Sequence, residues 1–590
     1  MKSSKSLIFL LLSAICAFST TVAVAQQWKF GVMSDTQWIG TDDGRNPGTC
    51  SVDIVRALNK QFIGEGVKFV VQVGDLVDQT GNTTTSVKNS EDIRAVFAQE
   101  LFNAGIGFYP LPGNHDSQPK AGAEFRHIYP QTINGKNNFT PFDAFTVPNP
   151  DSAAQPFPFP GANSKPFTLG SGFSSPTTTQ TGGPDWTGLS YAFTFNNATF
   201  VLLDQFSPLN TNTNYNPYPN AIDLQQSWIS GVLAGRPVQT HAFVFGHKGL
   251  VTENHVDTLF GSDPSKDPAG QDAFITSLYQ NGVRYYIQGH DHMHNRSLVS
   301  VTIGIPTDGK SARVENLLCA SDSSKFYTPG LPSNDDVYDI PAFGHRRQTQ
   351  IAQELHTVGY YVFTVNGPRV NVDYYSSLLS NVAPAGCSGA NCEWLIPTTP
   401  ALTFVKQESF GYSLNGKEFQ VCQSAQTGCN SSYTQVVDSF GGTIAKILSG
   451  TNGSTTADFD GRNFTKTVDT GWSYAATGAA SNVLTLWGMA DLGSPSTDVY
   501  TLSLSYNPTS LGSLVSRSSS VVSGSFGVAT KDAHGNWVNA VDMNQGTYSK
   551  RFVLGPWNSS YDLGTYGIDT TAHTAWAVIN YNADFVVTSF

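Results

Sequence analysis

Apolar positions in the first part of the chain follow two alternating rhythms. Residues 28–34 (WKFGVMS) form a short apolar run that stops on Asp35, and residues 51–62 follow with helical spacing. Residues 67–73 (VKFVVQV) are almost wholly apolar, as a strand covered on both faces must be, and the run stops on Gly74-Asp75. Residues 91–103 are helical again, and Gly107–Leu111 leads into Pro112-Gly113-Asn114-His115-Asp116. Strand, polar tip, helix, strand is a βαβ series. It predicts an α/β fold with a parallel sheet whose carboxyl-end tips gather where such sheets bind ligands.

Further along, Tyr191–Phe195 and residues 199–204 read as a hairpin joined through Asn196-Asn197-Ala198. Residues 222–233 and 273–280 have helical spacing. Residues 242–245 form a strand ending at Gly246-His247, and residues 284–288 (RYYIQ) one ending at Gly289-His290-Asp291-His292. Alternation at 359–365 and 370–375 predicts a closing hairpin. Between these elements, residues 117–184 are rich in Pro, Gly, Ser, Thr and Phe without periodicity. So long a stretch reads as an insertion covering the sheet edge, a candidate lid. Residues 378–405 turn to small residues, Pro and two Cys. Residues 406–590 carry alternating runs such as 499–506 and 575–580 with almost no helical periodicity. The organisation expected is a main domain over 26–377, a linker over 378–405, and a β-sandwich accessory domain over 406–590.

Composition narrows the class. At 590 residues and ~150 residues per domain, two to four domains are expected. Hydrophobic residues at 39% exclude a disordered chain, and the formal charge of −12 argues against a nucleic-acid partner. Lys2 and Lys5 precede an apolar run over 7–18, and Ala23-Val24-Ala25 supplies a small-x-small cleavage pattern. Residues 1–25 are therefore expected to be a signal peptide, leaving a mature charge of −14 on a secreted, periplasmic or cell-surface protein. No later run is long enough to span a membrane. Six Cys would remain: Cys50, Cys319, Cys387, Cys392, Cys422 and Cys429. An even number in an exported chain favours disulfides over zinc. Cys387–Cys392 and Cys422–Cys429 are close enough for local loops, which leaves Cys50 with Cys319, although spacing does not fix the pairing.

The candidate chemistry lies in five segments at the polar tips: Asp35-x-Gln37, Gly74-Asp75-x-x-Asp78, Gly113-Asn114-His115-Asp116, Gly246-His247 and Gly289-His290-x-His292. A pair of metal ions ~3.5–4 Å apart needs one bridging carboxylate and further N and O ligands on each side, and this set offers them. In this order the segments resemble the calcineurin-like metallophosphoesterases, over roughly residues 28–377. The resemblance implies a four-layer α/β/β/α sandwich. It implies one metal on Asp35, Asp75 and His292, and a second on Asp75, Asn114, His247 and His290. It also implies His115 as general acid or transition-state donor, oriented by Asp78. Asp116 reads as a residue that supports the ligands from behind or fixes the loop.

Three positions bear on the subfamily. Gln37 stands where the family's commonest motif has His. As an amide ligand it would make the first site more labile, suited to Mn²⁺ or Mg²⁺. Gln79 stands where Ser/Thr phosphatases carry a phosphate-binding Arg, and Asp78 where purple acid phosphatases carry an iron-binding Tyr. Neither subfamily is therefore expected. His294, Arg296, Lys248 and Arg45 are further candidate substrate contacts, while His127 and His345 are expected to be bystanders.

The function expected is a secreted phosphoesterase that hydrolyses mono- or diesters through a metal-bound hydroxide, with two ions among Mn, Fe, Zn or Mg and a small-molecule or extracellular phosphoester as substrate. The rival class is a surface protein that binds glycan or protein and keeps a vestigial site. The intact second-metal set weighs against it.

Overall fold

The computed structural model describes residues 27–37, 51–78, 83–117, 120–137, 166–177, 185–206, 221–251, 253–255, 257–261, 267–301, 312–323, 325–329, 348–378, 394–395, 401–414, 419–421, 436–438, 442–450, 466–474, 478–487, 489, 499–511 and 514–590. Residues 1–25, expected to be a signal peptide, and Arg45, Cys50, Gln79, His345, Cys387, Cys392, Cys422 and Cys429 lie outside the described residues.

The chain begins with β1 (Trp28–Met33), α1 (Ser51–Glu65), β2 (Phe69–Val73), α2 (Thr84–Asn103) and β3 (Gly107–Leu111). Within the insertion come α3 (Ala121–Ile128), α4 (Gln131–Asn134), β4 (Lys136–Asn137), β5 (Phe167–Thr168) and β6 (Ser171–Ser174). Next are β7 (Tyr191–Phe195), β8 (Ala198–Leu203), α5 (Ala221–Gly235), β9 (His241–Gly246), α6 (Pro268–Gln280) and β10 (Tyr285–Gln288). Then follow β11 (His294–Ser300), β12 (Arg313–Leu318), β13 (Lys325–Phe326), β14 (Gln348–Glu354), β15 (Thr357–Asn366), β16 (Arg369–Leu378), β17 (Trp394–Leu395) and β18 (Val405–Ser413).

Two sheets carry the site. The first has the order β18-β16-β15-β1-β2-β3 and the second β14-β11-β12-β10-β9-β8-β7-β6. β1, β2 and β3 run parallel, as do β8, β9, β10 and β12. The largely apolar sequences of β2, β3, β8 and β9 follow from burial on both faces. Phe30, Val32, Phe69, Val71 and Phe363 of the first sheet pack against Phe200, Phe243, Phe245 and Ile287 of the second. On the outer side, Met33 and Val70 meet Ile54, Leu58, Phe62 and Leu101 of α1 and α2. Val201, Val244 and Tyr286 of the second sheet meet Ile222, Ile229, Phe274 and Leu278 of α5 and α6. The result is the α/β/β/α sandwich. Phe30 sits at its centre, stacked on Phe363 at 4.6 Å and edge-on to Phe243 at 5.0 Å, pairings worth about 0.5–1.5 kcal/mol beyond their burial.

A separate β-rich region follows. One of its sheets contains Lys466–Ser473, Val483–Trp487, Phe526–Lys531 and Asp584–Ser589; the other contains Ile444–Gly450, Tyr500–Ser505, Thr565–Asp569 and Thr574–Ile579. Trp472, Leu484 and Val587 from the first share a core with Ile447, Leu502 and Ala577 from the second. A helix, Leu514–Ser523, also occurs there, which the alternating pattern did not signal.

Two expectations need correction. Val405–Ser413, assigned from sequence to the end of the linker and the start of the accessory domain, is the edge strand of the first sheet, antiparallel to β16. A composition boundary does not say which sheet a following segment joins. Cys319 is a free, buried thiol, so it does not bridge to Cys50. It belongs to the apolar core between the sheets, where burial raises its pKa well above the ordinary thiol value.

Candidate metal centre

All nine predicted site residues lie at the carboxyl ends of strands, where the two sheets face each other. Asp35 follows β1, Asp75 follows β2, and Asn114 and His115 follow β3. His247 follows β9, and His290 and His292 follow β10. The backbone there is unusually strained. Asp35, Gln37, Asp75, His290 and His292 all have positive φ, between 38° and 79°. Each such non-glycine residue costs on the order of 1–3 kcal/mol, and strain of this kind persists where it serves a site. Close approach adds to it. A Cβ on Gly113 would overlap the Asp75 carboxylate, and one on Gly289 would overlap Ser34 Oγ and Asp35 Oδ2.

Two ligand groups emerge, and they share one carboxylate. Asp35, Asp75 and His292 place their donor atoms within 4.8 Å of one another, and so do Asp75, His247 and His290. His247 Nε2 lies 3.3 Å from Asp75 Oδ1 and 3.0 Å from Asn114 Oδ1, which puts Asn114 with the second group. His292 Nε2 lies 3.6 Å from Asp35 Oδ1. The rings are aimed from behind. His247 Nδ1 donates to Val73 O at 2.9 Å, and His292 Nδ1 lies 3.0 Å from Lys325 O, leaving both Nε2 atoms turned inward. Gln37 Nε2 is 3.3 Å from Asp75 Oδ2, while Gln37 Oε1 is buried with no hydrogen-bond partner. A buried amide oxygen left without a donor suits a cation.

Charge tells the same story. Burial pushes Asp35 up to about 7, with His247 opposing and Asp75 adding to the rise. Burial alone would raise Asp75 too, but His247 and His115 hold it well below the usual carboxylate range. Burial would lower His247, yet Asp75 and Asp35 outweigh it and lift the ring to about 9. Burial brings His290 down to about 4 and His292 to about 3. Carboxylates and imidazoles crowded together in a water-poor cleft form the donor set of a divalent-cation site, and the residues present fit two ions.

Around the ligands stands a brace of hydrogen bonds. Asp116 accepts from the N–H groups of Gly113, Leu76 and Val77 at 2.8, 3.0 and 3.1 Å, tying the β2 and β3 tips together as a loop-fixing residue. Buried Arg94 bonds Gln72 and Thr36 beneath the Asp35–Gln37 turn. Asp322 accepts from Ser34 N at 2.9 Å.

His115 lies at the cleft rim, its Nε2 3.9 Å from Asp75 Oδ2. Its Nδ1 is hydrogen-bonded to the main-chain oxygen of Asp78. The Asp78 carboxylate is 3.8 Å from that nitrogen and pairs instead with Lys325 Nζ at 2.6 Å. Asp78 thus holds His115 through its backbone, and its side chain reaches the ring less closely than the motif implied. Lys248, a candidate phosphate contact, pairs with Asp257 and lies over the Phe206 ring at 5.2 Å. His294 and Arg296 are buried. His294 stacks on Tyr374 at 3.7 Å, and Arg296 pairs with Glu315 and Glu408, each at 2.6 Å. They join β11 to β12 and β18 and do not face the cleft as substrate contacts. His127 is on α3, paired with Glu124.

Sequence reading missed one wall of the cleft. Ser321, Lys325 and Tyr327 line it beside His292, and Asp257 and His255 beside His290. His255 also falls in a third donor grouping with His290 and Asp291. None of these residues sits in a recognisable spacing.

Residues 29–294, just under half of the chain, match the family profile of the calcineurin-like phosphoesterases, and this N-terminal part is a domain of that family. The class is that of metal-dependent phosphoric ester hydrolases. No curated protein sequence matches the chain. Among solved structures, PhoD is similar at 14% identity, covering 66% of this chain and 70% of that one, with a TM-score of 0.36. A purple acid phosphatase from yellow lupin (Lupinus luteus) seeds is 12% identical over 63% of this chain and 53% of its own, at 0.33. A dimetal phosphatase from Danio rerio is 15% identical over 62% of this chain and 99% of its own, at 0.30.

Proposed function

We propose that the protein is an exported phosphoesterase that hydrolyses phosphate mono- or diesters at a dinuclear metal site. The observation that carries this reading is Asp75, a carboxylate common to two buried donor groups. Asp35, His292 and the free oxygen of Gln37 would hold one ion, and Asn114, His247 and His290 the other. Two such cations would lower the pKa of a coordinated water and offset charge on the phosphoryl oxygens.

The chain's own residues do the rest. Because His115 Nδ1 donates to Asp78 O, the protonated ring has only its Nε2 proton to give, and that atom faces the Asp75 side of the cleft. A leaving oxygen there would receive the proton. The Asp78–Lys325 pair stands behind the ring and fixes the local charge. Export is supported by the amino-terminal sequence pattern alone. No helix among the described residues is long and apolar enough to cross a membrane.

The deciding experiment measures product release from a chromogenic monoester and a diester, with and without added Mn²⁺. Metal-dependent turnover of either supports the reading and assigns the ester class. No turnover of either, in a protein that binds two ions, favours the vestigial site.

A further inference from the structure

Two ligands of the second ion, His247 and His290, come from different strands, and a short chain of charges links them. Lys248, next to His247, pairs its Nζ with Asp257 Oδ2, and Asp257 Oδ1 lies 3.1 Å from His290 Nε2. We propose that Asp257, anchored by Lys248, is the positioning residue of the second ion: it accepts the Nε2–H of His290, fixes the tautomer, and turns the Nδ1 lone pair toward the metal. This rests on the dinuclear reading above.

Several observations carry it. His290 is buried, its backbone N–H is held at 3.0 Å by Asp35, and its ring stacks on His255 at 4.2 Å. The ring plane is therefore set, and what remains free is which nitrogen bears the proton. Of the contacts His290 Nε2 makes, the one to Asp257 is with a carboxylate that has its own cation, which keeps the acceptor ionised. A carboxylate behind a metal-bound imidazole raises the ligand's basicity and typically changes metal affinity 10–100-fold. Lys248, tied to Asp257 and covered by Phe206, supports the ligand rather than substrate phosphate.

The test is Mn²⁺ titration of the full chain, resolving two dissociation constants, for wild type, Asp257→Ala, Asp257→Asn and Lys248→Met. In Asp257→Ala the second constant should weaken about 10–100-fold while the first stays unchanged. Asp257→Asn keeps an oxygen that can accept the Nε2–H and should fall between. Lys248→Met should shift the same constant in the same direction, by less. Circular dichroism separates misfolding from weakened binding, and the near-isosteric Asn variant keeps the test decisive if the Ala variant does not fold. A wild-type second constant in Asp257→Asn and any folded Asp257→Ala overturns the proposal, and so does equal weakening of both sites. A wild type that binds fewer than two ions overturns the dinuclear reading itself, and this proposal with it.

Discussion

Strand β9 opens on one histidine and is followed at once by another, and the two could hardly differ more. His241 opens it at one end of the sandwich. Its Nδ1 accepts from Tyr412 OH at 3.0 Å and its Nε2 donates to Gly367 O at 2.8 Å. Burial draws it down to about 4. His247 follows the strand's last residue into the metal cleft, equally buried, and two carboxylates lift it to about 9. Desolvation acts the same way on both rings, so the neighbours decide. At one end every polar atom of the ring is satisfied by a neutral partner, and the histidine is a tie between β9 and the first sheet. At the other, charge is gathered without being settled, and the histidine is a candidate ligand. A buried histidine signals function only when its surroundings hold charge that an ion would balance.

The contrast can be broken from either end. Asp75→Asn should have the largest effect. Losing the shared carboxylate should lower bound metal at both sites and cut turnover by about 10³-fold or more, since metal charge stabilisation is worth several kcal/mol. Elemental analysis with a phosphoesterase assay checks both, and retention of two ions with near-normal turnover would refute the assignment. His115→Ala should leave metal content intact and slow hydrolysis by ~10²–10⁴-fold, less on substrates with good leaving groups. Equal losses on good and poor leaving groups would leave His115 an electrostatic role only.

His241 offers a test at the inert end. Its folded pKa, about 4, lies below the ordinary 6.5, so as pH falls the unfolded chain takes up the proton first. The stability it contributes is full above pH 6.5 and is lost as pH falls toward 4, up to roughly 3 kcal/mol. His241→Gln should flatten that limb of the melting-temperature profile while leaving metal content unchanged. A parallel acid limb in the variant would contradict this. The smallest effect is expected for Gln37→His. It should tighten the first ion within about tenfold, roughly 1.4 kcal/mol, and shift preference toward Zn²⁺. Identical titrations would show that Gln37 is no ligand.

Much of the centre was legible because each ligand stands at the end of an apolar run. β1, β2, β3, β9 and β10 were all readable as strands, and a parallel sheet brings its carboxyl ends together whatever the loops do. Lys325, Asp257 and His255 were not legible. Asp257 and His255 lie on an irregular segment after β9 and Lys325 opens the two-residue strand β13, too short for any periodicity to mark, and all three meet the ligands only through tertiary packing. The function of Asp78 was half legible. Its position predicted a hold on His115, but not that Lys325 would claim the carboxylate and leave the main-chain oxygen to do the holding. β18 shows the same limit at the level of the fold, since the change of composition after residue 378 concealed a strand that returns to the first sheet.

That late strand also sets a timetable for synthesis. β1 emerges early, yet its neighbour β15 pairs Val365 with Trp28, and the sheet gains its last strand only at Ser413. Domains fold in the order they leave the ribosome, and unpaired apolar strands are exposed until partners arrive. Asp35 and Asp75 are therefore made long before His290 and His292, and the metal centre can close only after most of the sandwich has been translated. On the proposed dinuclear reading, an ion present at that moment would favour the finished arrangement, so metal supplied during folding should raise the yield of folded protein.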